Sequence, residues 1–175
     1  MRAPIAVLTA ALALASCGGG NHEPKLRLTM HHVSRGTCPV TVPLGRRRAP
    51  RRLQALVGAE GAARSFGKGG LWVLLPLAAG NAVPVRSGYD VKVPWYLDGA
   101  GDLRVVGERL DGAGRVDYDA YEVPGPGPRM QASSIKVSAL GCYGIEAEHH
   151  GLVIRWVFRV SVSPAGSGPP AGPVS

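Results

Sequence analysis

Cys142-Tyr-Gly-Ile-Glu-Ala-Glu148, His149-His150-Gly151 and Leu152-Val-Ile-Arg-Trp-Val-Phe-Arg-Val-Ser-Val162 together decide the fold. Two runs rich in β-branched and aromatic residues flank a short turn, which reads as a tight β-hairpin. Outward from this hairpin the same signals recur. Leu71-Trp-Val-Leu-Leu75 is a buried apolar strand, and Tyr89-Asp-Val-Lys-Val93 alternates until Pro94 stops it. Leu103-Arg-Val-Val106 runs through Glu108-Arg-Leu110 to the turn pair Asp111-Gly112. Val116, Tyr118 and Ala120 alternate with Asp117, Asp119 and Tyr121, and Ile135 and Val137 mark one more strand. Leu26, Leu28 and Met30 alternate with Arg27 and Thr29 near the start, and Cys38-Pro-Val-Thr-Val-Pro43 is a short extended piece. With Gly 25 and Pro 15 in 175 residues, short strands and many turns are favoured over long helices. About seven to eight antiparallel strands in a two-sheet β-sandwich are expected over residues 26–162.

Three stretches depart from this rhythm. Residues 44–69 hold Arg46, Arg47, Arg48, Arg51 and Arg52 around Pro50. Leu53, Leu56 and Val57 suit one helical turn, but Gly58 and Gly61 weaken its extension, so a long basic loop with at most a short helix is expected. Pro124-Gly-Pro-Gly-Pro128 is a rigid loop, and residues 163–175 have the Pro/Gly/Ala-rich composition of a disordered tail.

The N-terminus carries a different kind of information: Met1-Arg-Ala-Pro-Ile-Ala-Val-Leu-Thr-Ala-Ala-Leu-Ala-Leu-Ala-Ser-Cys-Gly-Gly-Gly20. Ile5 to Ala15 is uncharged and apolar, yet well short of the about 20 residues that span a bilayer. It is the h-region of a signal. The run Leu14-Ala15-Ser16-Cys17 resembles the lipobox of bacterial lipoproteins, in which the cysteine is acylated and the chain is cut before it. The resemblance implies a signal peptide over 1–16, a flexible tether over 17–25, and lipidation of Cys17. It places the chain outside the cytoplasm, on the outer face of the cell membrane or on an outer membrane. The alternative is plain secretion, with cleavage after Ala13-Leu14-Ala15. Cysteine number bears on the choice: Cys17, Cys38 and Cys142 make an odd set. Lipidating Cys17 leaves Cys38 and Cys142 as a disulfide pair closing a loop of about a hundred residues, worth about 4.7 kcal/mol on the chain-entropy model.

The order Leu71-Trp72-Val73, Val93-Pro94-Trp95, Leu110-Asp111-Gly112, Val123-Pro124, Gln131, Ser134 and Gly141-Cys142-Tyr143 resembles uncharacterised secreted lipoproteins of high-GC bacteria with immunoglobulin-like domains. The resemblance covers about residues 38–162 and implies an all-β, immunoglobulin-like sandwich without implying an activity. The chain departs from the antibody pattern, which puts a tyrosine two residues before the second cysteine; here that residue is Leu140.

The formal net charge is +8. Outside the cell, a basic surface suits anionic headgroups or acidic wall polymers. Nucleic acid is not expected as a partner, since no recognition motif accompanies the charge. The five arginines of 46–52 repel one another, so an extended, hydrated segment is expected; it is the candidate for contact with an anionic surface, against the reading of a solvated basic loop with no specific partner. His22, His31, His32, His149 and His150, with Met30 and Met130, raise copper or zinc binding, but no ligand spacing supports it. The histidines are expected in solvated turns or edges, and no metal and no cofactor is expected. Ser133-Ser-Ile-Lys136 matches S-x-x-K without its partner motifs. Glu146 with Glu148, and Asp117 with Asp119, read as solvent faces rather than acid-base pairs. Trp72 and Trp156 suit the core, and Trp95-Tyr96 reads as an exposed aromatic pair. A non-catalytic envelope lipoprotein, with a β-sandwich that binds or scaffolds, is the preferred expectation. A metal-handling extracytoplasmic lipoprotein is the alternative.

Overall fold

The computed structural model describes residues 30–34, 36–76, 81–121 and 127–162. Cys17, the signal and tether segments, the strand expected from Leu26 and the tail from 163 lie outside the described residues, apart from Met30. Eleven antiparallel strands and one helix follow in the order α1 (Arg51–Ala63), β1 (Ser65–Lys68), β2 (Leu71–Leu74), β3 (Ala82–Val85), β4 (Gly88–Lys92), β5 (Trp95–Leu97), β6 (Arg104–Arg109), β7 (Val116–Ala120), β8 (Arg129–Gln131), β9 (Ser133–Val137), β10 (Gly141–His149) and β11 (Leu152–Val160). Among the described residues they form three sheets, with orders β1-β2-β5-β8, β11-β10-β6 and β3-β4-β9-β7. The antiparallel all-β class agrees with expectation, but eleven strands in three sheets correct the seven to eight strands in two sheets, because short strands without a readable period add to the count.

The hairpin β10–β11 is the longest ladder, running from Gly141 opposite Val160 to His149 opposite Leu152. His150 and Gly151 both have positive φ, 51° and 71°, as a two-residue turn of the right twist requires. The other side of β10 pairs with β6, from Tyr143 opposite Arg109 to Glu148 opposite Arg104.

The first and third sheets share a seam. β4 runs through Val93-Pro94 into β5, and β8 runs through Ala132 into β9, so one pair of chain segments serves both sheets. The Val93 amide donates to the Ser133 carbonyl (3.0 Å), continuing the pairing across the break. Pro94 therefore marks a crossing between sheets and not the end of a strand at the surface. The side chains on either side of it are covered. Trp95 is 0% exposed and Tyr96 1% exposed, which corrects the expectation of an exposed pair.

All three sheets contribute to one core. Leu71, Val73, Val91, Trp95, Ile135, Ile145, Trp156 and Phe158 meet there, and Trp95 and Trp156 make an edge contact with centroids 6.4 Å apart. A second cluster lies on the far side of the first sheet, where Leu53 and Ala62 of α1 pack with Ala49 on Trp72, Leu74 and Tyr96. This agrees with a short helix around Leu53 and Val57 but corrects the reading of the rest of 44–69 as a long loop: the segment holds α1 and β1. Gly58 does break the helical geometry (φ 70°, ψ −176°), but burial of Leu53 and Ala62 supports the turns on either side. Tertiary packing here overrides weak intrinsic propensity.

Candidate functional site

The segment that precedes α1 is clamped along its length. Cys38 is joined to Cys142 of β10, with Cα atoms 5.5 Å apart. Thr41 then bonds both main-chain groups of Val157: its amide donates to the Val157 carbonyl (2.8 Å) and its Oγ1 accepts from the Val157 amide (2.8 Å). The Leu44 amide donates to Ser65 (2.9 Å). Upstream, Arg159 donates to the Gly36 carbonyl (3.0 Å) and Val33 donates to Leu110 (3.0 Å). The edge of β11 is thus covered near Val157 by an arm running from Gly36 to Leu44, which removes part of an otherwise open edge.

The arginines follow this arm. Arg46, Arg47 and Arg48 occupy a turn closed by the Arg48 amide on the Gly45 carbonyl (3.1 Å). Gln54 of α1 ties that turn to the helix. Its Nε2 donates to the Ala49 and Arg46 carbonyls (2.8 and 3.1 Å), while Arg46 Nε donates to Gln54 Oε1 (3.3 Å). Arg51 and Arg52 then open α1, which has no side-chain cap and no acidic residue in its first turn. All five arginines are exposed. The segment is therefore a turn and a helix start rather than the extended chain that mutual repulsion suggested. Ala49, buried at 5% exposure, anchors it from below. Arg52 lies 4.0 Å from Asp98, an exposed pair worth little. Among the described residues no ion pair is formed by Arg46, Arg47, Arg48 or Arg51.

A feature missed in the sequence lies on the same stretch. Val40 (47% exposed), Val42 (76%) and Leu44 (37%) project from the arm, and Leu56 (54%) projects from α1. The alternation was legible, but nothing in the sequence tells which side of a lone extended segment faces the protein.

The remaining candidates separate. His149 is buried, with Nδ1 3.3 Å from the Asp102 carbonyl, and its ring meets that of His150 at 4.6 Å. The expectation of solvated turn or edge histidines fails for His149, which is buried, and agrees with His150, which is exposed in the β10–β11 turn. His31 and His32 are exposed. Among the described residues no group of three or more His, Cys, Asp or Glu is placed to hold a metal ion. Met30 lies over Gly144 of β10, where an added Cβ would collide with its sulfur, and Met130 packs beneath α1.

Ser133 is buried; its hydroxyl donates to the Val93 carbonyl (2.7 Å) and accepts from Trp95 Nε1 (2.8 Å). Lys136 is instead engaged with Asp119 (3.0 Å), so the serine and lysine are not brought together. Glu146 is 2% exposed and paired with Arg155 at 2.5 Å. It is not on a solvent face: it lies directly opposite Arg155 on β11, whose more exposed side chain pairs with it. Glu148 lies 3.9 Å from Arg104. Asp117 and Asp119 are exposed and paired with Arg115 and Lys136. A cleft of about 30 Å³ beside Tyr89, Arg115 and Lys136 has room for little more than a water molecule. Among the described residues no helix is long and apolar enough to cross a membrane.

The chain is thus a disulfide-linked antiparallel β-sheet protein, and the bond points to folding outside a reducing cytoplasm. No protein-family model matches it, and neither does a curated protein sequence or a solved structure.

Proposed function

We propose that this is a non-catalytic cell-envelope lipoprotein, tethered by lipid on Cys17, whose immunoglobulin-like β-sandwich docks against an anionic surface through Arg46, Arg47, Arg48, Arg51 and Arg52. The observation that carries the reading is the fixed display of those arginines: five exposed guanidinium groups on one buttressed segment, four of them without an ion pair among the described residues. Cations crowded at the positive end of a helix dipole repel one another and gain from an anion brought to them. Next to a membrane each basic residue contributes on the order of 1 kcal/mol toward anionic headgroups. The disulfide supports an extracytoplasmic location, and the lipobox resemblance of Leu14-Ala15-Ser16-Cys17 supports the anchor. The docking surface is the outer leaflet bearing the anchor, which a short tether keeps within reach.

The test uses the mature chain, residues 17–175, carrying Cys17→Ser, so that neither acylation nor the apolar signal segment masks docking. At low salt it should bind phosphatidylglycerol-containing vesicles, and replacing all five arginines with serine should weaken that binding by at least tenfold. Equal binding of the two proteins would remove the arginines from any docking role. Intact mass of the native protein checks the anchor separately: a mature chain starting at Cys17 with added acyl mass is expected.

A further inference from the structure

We infer that Val40, Val42 and Leu44 insert into the interfacial layer of an anionic phospholipid bilayer, making the arm a wedge whose rim is the arginine segment. This deepens the docking reading above and rests on it. Single exposed apolar side chains are ordinary, but neighbouring ones held together mark an interaction surface. Here three stand at alternate positions of the arm and expose 47%, 76% and 37% of their area. Thr41, between the first two, turns its hydroxyl to Val157, so its neighbours face away from the sheet.

The arm cannot fold these side chains inward. The disulfide at Cys38 holds it at one end, Thr41 in the middle, and the Leu44 amide at the other end. The protein therefore keeps the apolar surface on display, with little conformational freedom left to lose when it is covered. The charge beside it selects the partner. Arg46, Arg47 and Arg48 begin two residues beyond Leu44, and Leu56 lies one helical turn past Arg52 on α1. Apolar side chains bordered by cations match the bilayer interface, where acyl chains lie beneath anionic phosphates. A protein partner with a dry apolar cleft would leave these five guanidinium groups to be desolvated or unpaired.

The experiment compares the mature chain, residues 17–175 with Cys17→Ser, with the same chain carrying Val40→Asp and Val42→Asp, and with the five-arginine variant. Binding to phosphatidylglycerol–phosphatidylcholine vesicles is read at low salt and at about 0.5 M salt, where Coulombic attraction between exposed charges is largely screened. The parent should retain a salt-resistant fraction. The valine variant should lose that fraction by roughly tenfold while keeping part of its low-salt binding; the arginine variant should lose the low-salt binding. A Val42→Trp variant gives a direct readout, since the native tryptophans are buried. Its added emission should shift blue on vesicles and be quenched by brominated acyl chains. Emission that stays unshifted, or a valine variant that partitions as the parent does in both salts, would overturn insertion while leaving arginine docking intact. Loss of binding by neither variant would overturn both. A parent dimer that dissociates in the valine variant, with unchanged vesicle binding, would reassign the arm to a second copy of this chain.

Discussion

Asp111 shows how a single carboxylate can bind two parts of this fold. Arg109 donates to its Oδ1 at 2.8 Å, in a pair whose side chains are 21% and 10% exposed. Burial pushes the carboxyl up, but the hydrogen bond from Arg109 and one from the Cys142 main chain outweigh it and hold the group below the usual carboxylate range. A carboxylate held low in the folded state stabilises above its unfolded value near 4, and that stabilisation is lost as pH falls through the folded value. Asp111→Asn is therefore expected to cost about 1–2 kcal/mol at neutral pH, and progressively less as pH falls below about 4, as read from urea unfolding across pH. Tyr118 behaves in the opposite direction. Burial pushes its phenol up to about 12, so the unfolded chain releases this proton first and stability falls as pH rises from 10 toward 12. Burial raises Tyr96 and Tyr143 as well, so ultraviolet titration should show delayed tyrosine ionisation, and Tyr118→Phe should remove the step near 12. At residues such as Trp95, Glu146 and His149 the sequence was least legible. Their burial depends on which strand is central and where two sheets join, and neither is a property of near neighbours in the chain.

Among elements, α1 is the clearest case of structure that local preference does not predict. Its apolar residues are few, and Gly58 and Gly61 interrupt it, yet Leu53 is 0% exposed beneath it. Leu53→Ala should cost about 2–5 kcal/mol by opening a cavity against Trp72 and Tyr96, while exposed Leu56→Ala should change stability by less than about 0.5 kcal/mol; thermal melts of the two variants check the contrast. The strands divide by the same logic. β2, β4, β6, β7, β9, β10 and β11 carry alternation or apolar runs long enough to read. β1, β3, β5 and β8 have three or four residues each, too few for a period to emerge; the equally short β2 is legible from its unbroken apolar run Leu71 to Leu75. β5 and β8 exist because the chain continues from β4 and into β9 across the seam, and that continuity is set by pairing between segments about forty residues apart. The basic segment was legible as composition and as exposure. Its shape was not, because Ala49 and Gln54 fold it onto the first sheet.

Across the whole molecule, the Cys38–Cys142 bond does two things at once. It closes a span of 104 residues, which restricts the unfolded chain and contributes about 2–4 kcal/mol, with about 4.7 as the chain-entropy value. It also holds the arm against the β10 strand, where Gly144 gives room for Met30. These roles separate experimentally. The double variant Cys38→Ala with Cys142→Ala should unfold with a midpoint lowered by the equivalent of about 2–4 kcal/mol. The β core stays intact because its main clusters do not depend on the arm. Hydrogen exchange should then rise locally at the Thr41 and Leu44 amides, which are otherwise held by Val157 and Ser65, while the amides of β10 and β9 remain protected. A freed arm can turn Val40, Val42 and Leu44 toward the protein or sample many orientations. The folded double variant should therefore lose most of its salt-resistant vesicle binding and keep its low-salt binding, because the arginine turn is fixed separately by Gln54. Equal salt-resistant binding with and without the bond would mean that rigidity of the arm contributes nothing to insertion. Unchanged exchange at Thr41 would mean that hydrogen bonds to β11 alone hold it in place.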